Sequence, residues 1–62
     1  MNIERFQEEE GNTLTKFVRI DGKLYGVTGE VTEKLPRERL DQALDQAIDN
    51  TVIFYKKAKL NL

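Results

Sequence analysis

The chain has 62 residues, with ten Lys and Arg against eleven Asp and Glu for a formal charge of −1, and it contains neither His nor Cys. No side chain therefore has an unperturbed pKa near neutrality, and there is no thiolate nucleophile, no disulfide and neither thiolate nor imidazole for a zinc site. Acid-base catalysis would need a carboxylate or lysine shifted by burial, for which so short a chain has little interior, so a non-enzymatic protein with no cofactor is expected.

Length limits the architecture as composition limits the chemistry. A chain of about 60 residues buries only about 60% of its unfolded surface and is marginal unless stapled, metal-bound or associated. Self-association or a protein partner is the support that remains. The nearly balanced charge argues against a polyanion-binding protein, but its distribution is uneven. Residues 1–10 carry one arginine against four glutamates, a net −3, whereas residues 51–62 carry Lys56, Lys57 and Lys59 as their only charges, a net +3. No apolar run approaches the length of a membrane span, and Met1 to Arg5 has nothing of a signal-peptide core. A cytoplasmic protein without membrane contact is expected, since small secreted domains usually rely on disulfides.

In chain order, residues 1–12 offer only Ile3 and Phe6 before the run Glu8-Glu9-Glu10-Gly11-Asn12. Two readings fit: a short edge strand turning at Gly11-Asn12, or a mobile acidic arm. The arm is the expected state of 1–12, with Phe6 its anchored residue, and residues 13–62 form the single domain. The consecutive glutamates are read as solvated rather than as a carboxylate pair for catalysis.

The clearest local signal follows. Two β-prone runs, residues 13–20 and 23–31, flank Asp21-Gly22, and such a pair marks a two-residue hairpin because its turn needs positive φ at both central positions. That turn sets the register: Ile20 faces Lys23, Val18 faces Tyr25, Lys16 faces Val27 and Leu14 faces Gly29 on one side. Arg19 faces Leu24, Phe17 faces Gly26 and Thr15 faces Thr28 on the other. The first side, with Leu14, Val18, Ile20, Tyr25, Val27 and Val31, is the more apolar and is expected to meet the core. Gly26 and Gly29 are no phosphate loop, since no helix follows them directly; they relieve crowding opposite Phe17 and Leu14 or allow a bulge.

Pro36 suits the first turn of a helix, and Leu40, Ala43, Leu44, Ala47 and Ile48 recur at three- and four-residue spacing, which predicts an amphipathic helix over Pro36 to Asn50. Asp41, Asp45 and Asp49 lie on its other side. They form a solvated ridge in this reading, because a calcium site needs oxygen ligands converging from a loop. After Asp49-Asn50, the β-branched and aromatic density of Thr51 to Tyr55 favours a strand over residues 52–59. Val52, Phe54, Ala58, Leu60 and Leu62 would share its inner face, and Ile53, Tyr55, Lys57 and Lys59 its outer face. A continued helix is the alternative.

Assembled, these elements predict an α+β domain in ββαβ order: a hairpin, one helix, and a C-terminal strand returning beside residues 13–20 in a three-stranded sheet, with the helix on one face. The other face has no cover. It would display Phe17, Leu24, Ile53 and Tyr55 with Arg19, Lys57 and Lys59, more apolar surface than a small monomer leaves wet. The expected function is a small interaction module, regulatory or inhibitory, that binds itself as a homodimer or another protein through this face. Single-stranded nucleic acid is the alternative occupant, since sheet aromatics stack bases while lysines meet phosphates, although the neutral charge and acidic helix weigh against it. A structural subunit of a larger assembly is a third reading that the residues do not separate from the first.

Overall fold

A computed structural model describes residues 1–60; Asn61 and Leu62, the latter assigned above to the inner face of a strand, lie outside the described residues. Three antiparallel strands precede one long helix: β1 (Ile3–Glu10), β2 (Thr13–Ile20), β3 (Lys23–Glu30) and α1 (Arg37–Leu60). The sheet is a simple meander with β2 in the centre. The α+β class is as expected, but the order is βββα rather than ββαβ.

The β2–β3 hairpin has the predicted register at every pair named above. Asp21 and Gly22 take φ of 49° and 88°, the two positive values that this turn demands. The segment expected as an acidic arm is instead β1, paired with β2 along its whole length from Ile3 opposite Ile20 to Glu10 opposite Thr13. Gly11, at φ 59°, takes the first central position of the connecting turn, where glycine costs least. β1 fills the place in the sheet that the tail was expected to occupy.

The tail is accordingly not a strand. α1 continues unbroken through residues 52–59 to Leu60. Its first internal bond runs from the Leu40 amide to the Pro36 carbonyl, 2.9 Å. Leu40, Leu44, Ile48 and Val52 are its buried residues, a row at four-residue steps that drifts only about 40° per step around the helix. Val52 therefore follows Ile48 into the core without a change of direction. The β propensity of Thr51 to Tyr55 is overridden because one more buried turn outweighs local preferences of a few tenths of a kcal/mol per residue.

The core lies between α1 and the inner face of β2 and β3. Val18 and Ile20 pack with Ile48 and Val52, and Leu14 packs with Leu40 and Leu44. Each such side chain contributes on the order of 1.5 to 3 kcal/mol by leaving water. Close approach at the helix start depends on Gly29, where a Cβ would stand 2.5 Å from Leu40 Cδ1. The helix backbone lies over β2 and β3, whereas β1 is reached by side chains alone.

Ile3 packs against the core cluster of Ile48 and Val52, and the other contacts are charged, which corrects the reading of the aspartates as a solvated ridge. Lys16, buried on the inner face, places Nζ 2.8 Å from Asp41 and 2.6 Å from Asp45. Arg5 of β1 pairs with Asp49 at 2.8 Å, and Glu9 of β1 with Arg37. The acidic row thus docks α1 on the sheet. Burial would depress the Lys16 pKa, but hydrogen bonds to the two carboxylates and their charges outweigh it, so the ammonium titrates above its ordinary value. Among the described residues no helix is long and apolar enough to cross a membrane.

Candidate functional site

Alternation along the strands decides what the outer sheet face displays. From β1 come Glu4, Phe6, Glu8 and Glu10, from β2 Thr13, Thr15, Phe17 and Arg19, and from β3 Leu24, Gly26, Thr28 and Glu30. No element covers this face among the described residues.

Its centre is apolar. Phe6 and Phe17 are directly opposed across β1 and β2, and Phe17 faces Gly26. A Cβ at Gly26 would stand 2.9 Å from Phe17 Cδ1, so the missing side chain is what lets the Phe17 ring lie down on β3. Arg19 stacks its guanidinium 5.1 Å from the centre of the Phe6 ring and reaches Glu4 at 3.7 Å. Phe6 and Leu24 remain 43% and 57% exposed. With Gln7, Glu8, Phe17 and Arg19 they line a shallow concavity of about 340 Å³. The Thr15 and Thr28 hydroxyls are 2.9 Å apart and satisfy each other beside it.

Its rim is acidic. Four carboxylates, from Glu4, Glu8, Glu10 and Glu30, share the face with the single cation Arg19, and that cation is engaged by Glu4 and Phe6. The patch assembled from the sequence is therefore only half present. Phe17, Arg19 and Leu24 lie together on the outer face as expected. Ile53, Tyr55, Lys57 and Lys59 are on α1, on the other side of the sheet.

These four residues also separate into two pairs around the helix, Tyr55 with Lys59 and Ile53 with Lys57. Tyr55 packs against the core cluster of Val18 and Ile48. Lys59 donates to Asp21 Oδ2 at 2.9 Å, and the Tyr55 hydroxyl lies 3.4 Å from the same oxygen. Ile53 and Lys57 point away from the sheet into solvent. Phe6, which joins the face across from Phe17, was missing from the expected site. The signal for it was the Gly11-Asn12 turn, whose two-residue length sets Phe6 opposite Phe17.

Asp21 is a second organised point, at the end of the sheet where β1 begins and α1 ends. Its Oδ1 accepts from the Asn2 amide and its own amide donates to the Asn2 carbonyl, both at 2.9 Å. The Asn2 amide and the Lys59 ammonium hold its carboxyl down at a pKa of about 2. The Lys59 pKa is raised in turn by the hydrogen bond and charge of Asp21. This cluster ties three elements together and has all its partners within the chain.

Comparison with family models, with curated proteins and with solved structures found no match to the chain.

Proposed function

We propose that the protein is a small non-enzymatic interaction module that docks a polypeptide on its outer sheet face, with Phe6, Phe17 and Leu24 as the apolar contact. The occupant that fits is a segment carrying apolar residues flanked by Lys or Arg. The observation that carries this reading is an exposed aromatic and aliphatic cluster on a face with four carboxylates, Glu8, Glu10 and Glu30 toward one end of the sheet and Glu4 beside Arg19. These carboxylates repel acidic partners and speed the encounter with basic ones, while the desolvated centre supplies the affinity. A regulatory or inhibitory role follows from the design, since a module without chemistry acts by occupying its partner's surface.

The same carboxylates weigh against single-stranded nucleic acid. The lysines needed to meet phosphates sit on α1, and a strand laid on Phe6 and Phe17 would face carboxylates instead.

Fluorescence anisotropy decides between them, using three labelled probes: a helical peptide of Leu and Phe flanked by Lys, the same peptide with Glu for Lys, and a single-stranded oligonucleotide. Saturable binding of the first alone is expected, weakening as salt rises and lost in Leu24→Asp. Binding of the oligonucleotide with no binding of the Lys peptide overturns the reading.

A further inference from the structure

A basic apolar segment of the kind that the outer face would accept is present in the chain itself. The last turns of α1 carry Ile53, Phe54 and Leu60 at 51%, 74% and 85% exposure. Lys56 and Lys57 stand among them, both exposed. Ile53, Lys57 and Leu60 follow one another at steps of four and three residues and so form one stripe along the helix. The exposed Met1 lies beside them, lining with Lys56, Lys59 and Leu60 a second, mainly apolar concavity. Within one molecule this stripe cannot reach the outer face, because α1 lies against the opposite side of the sheet.

We infer that the occupant of the outer face is a second copy of this chain docked head to tail, the C-terminal turns of α1 of one copy seated on the sheet of the next. This rests on the outer face being the docking surface. Charge decides against the symmetric alternative. Two sheets packed face to face would bring together two surfaces of net −3, each with its only cation already engaged. The head-to-tail contact sets Lys56 and Lys57 against Glu8, Glu10 and Glu30 while the apolar centres meet. The polarity of the molecule assists, since the carboxylates of Glu8, Glu10 and Glu30 lie at the end of the sheet away from the C-terminus of α1. Such a contact leaves a free face and a free helix end on every dimer, so it propagates into longer chains or a ring.

Sedimentation of the parent over a concentration series, and of Leu24→Asp and Ile53→Asp alone and mixed, tests this. Both positions are more than half exposed, and far-UV circular dichroism checks that each variant is folded; Leu60→Asp replaces Ile53→Asp if it is not. The parent's mean mass is expected to rise past that of a dimer and to fall back at high salt. Each variant alone is weakened at least about tenfold, the scale of losing one interface anchor. The equal mixture restores a two-chain species and stops there, because one intact face meets one intact helix end. A parent that stays monomeric at high concentration overturns the inference. So does an Ile53→Asp variant that still dimerises while Leu24→Asp does not, which is the signature of the symmetric sheet dimer. If the parent is monomeric and the Lys peptide still binds, the docking face stands and only its occupant is wrong; if both fail, both readings fall.

Discussion

The two faces of the sheet are built from the same strands by alternate residues, and they have opposite fates. On the inner face Leu14, Val18 and Ile20 are at most 1% exposed beneath α1, while on the outer face Phe6 and Leu24 keep about half their surface in water. The inner face also neutralises its charges, with Lys16 held by Asp41 and Asp45 and Arg5 by Asp49. The outer face accumulates four carboxylates against one arginine. A sheet with one helix needs only one apolar side to fold, so the residues of the other side are free to serve a contact.

Substitutions should therefore act on stability through one face and on association through the other. The largest expected effect is Ile48→Ala, which empties the space between Val18 and Val52 and should cost about 2 to 5 kcal/mol. A domain of this size has little more than that to lose, so chemical denaturation should find the variant largely unfolded at 25 °C. Gly29→Ala comes next. Its Cβ would press on Leu40, which is too deeply buried to swing aside, and a loss of about 1 to 3 kcal/mol is expected in the same measurement. Lys16→Met keeps the volume but leaves Asp41 and Asp45 facing each other without a cation. Because both carboxylates are partly in water, the expected cost is about 1 to 2 kcal/mol.

A smaller effect is expected at Asp21, and it depends on pH. Its folded pKa of about 2 lies below the unfolded value of about 3.9. Its contribution is thus fully present above about pH 4 and is lost as pH falls through about 2. The difference between parent and Asp21→Asn in denaturation midpoint should be constant from pH 7 to pH 5 and shrink across that acid window. The smallest stability change belongs to the outer face: Leu24→Asp should change the unfolding free energy by no more than about 0.5 kcal/mol.

Legibility in the sequence followed how locally each feature is determined. The β2–β3 hairpin was readable pair by pair because Asp21-Gly22 admits one turn geometry, and that geometry fixes the register for the rest of both strands. It also placed Phe17, Arg19 and Leu24 together correctly. β1 was misread because its inward residues after Ile3 are Arg5, Gln7 and Glu9, which give no apolar alternation. What holds β1 is the backbone ladder to β2, the single apolar contact of Ile3 with the core and ion pairs to α1, which together leave no hydrophobic pattern. The tail was misread because Thr51 to Tyr55 resembles a strand when taken alone. The decisive fact is Val52 standing four residues after Ile48, and it counts only if the helix is already in place over the sheet. Ile53, Tyr55, Lys57 and Lys59 left the expected site together, since all four depended on that one assignment.

The central claim, that one sheet face holds the fold and the other makes the contact, is tested most directly by methyl and aromatic NMR during titration with the Lys-flanked peptide of Leu and Phe. The Leu24 methyls and the Phe6 and Phe17 ring protons should shift progressively and saturate together, while the methyls of Leu14, Val18, Ile20 and Ile48 stay in place. Shifts confined to the helix, or spread through the inner-face methyls with no change at Leu24, would contradict it.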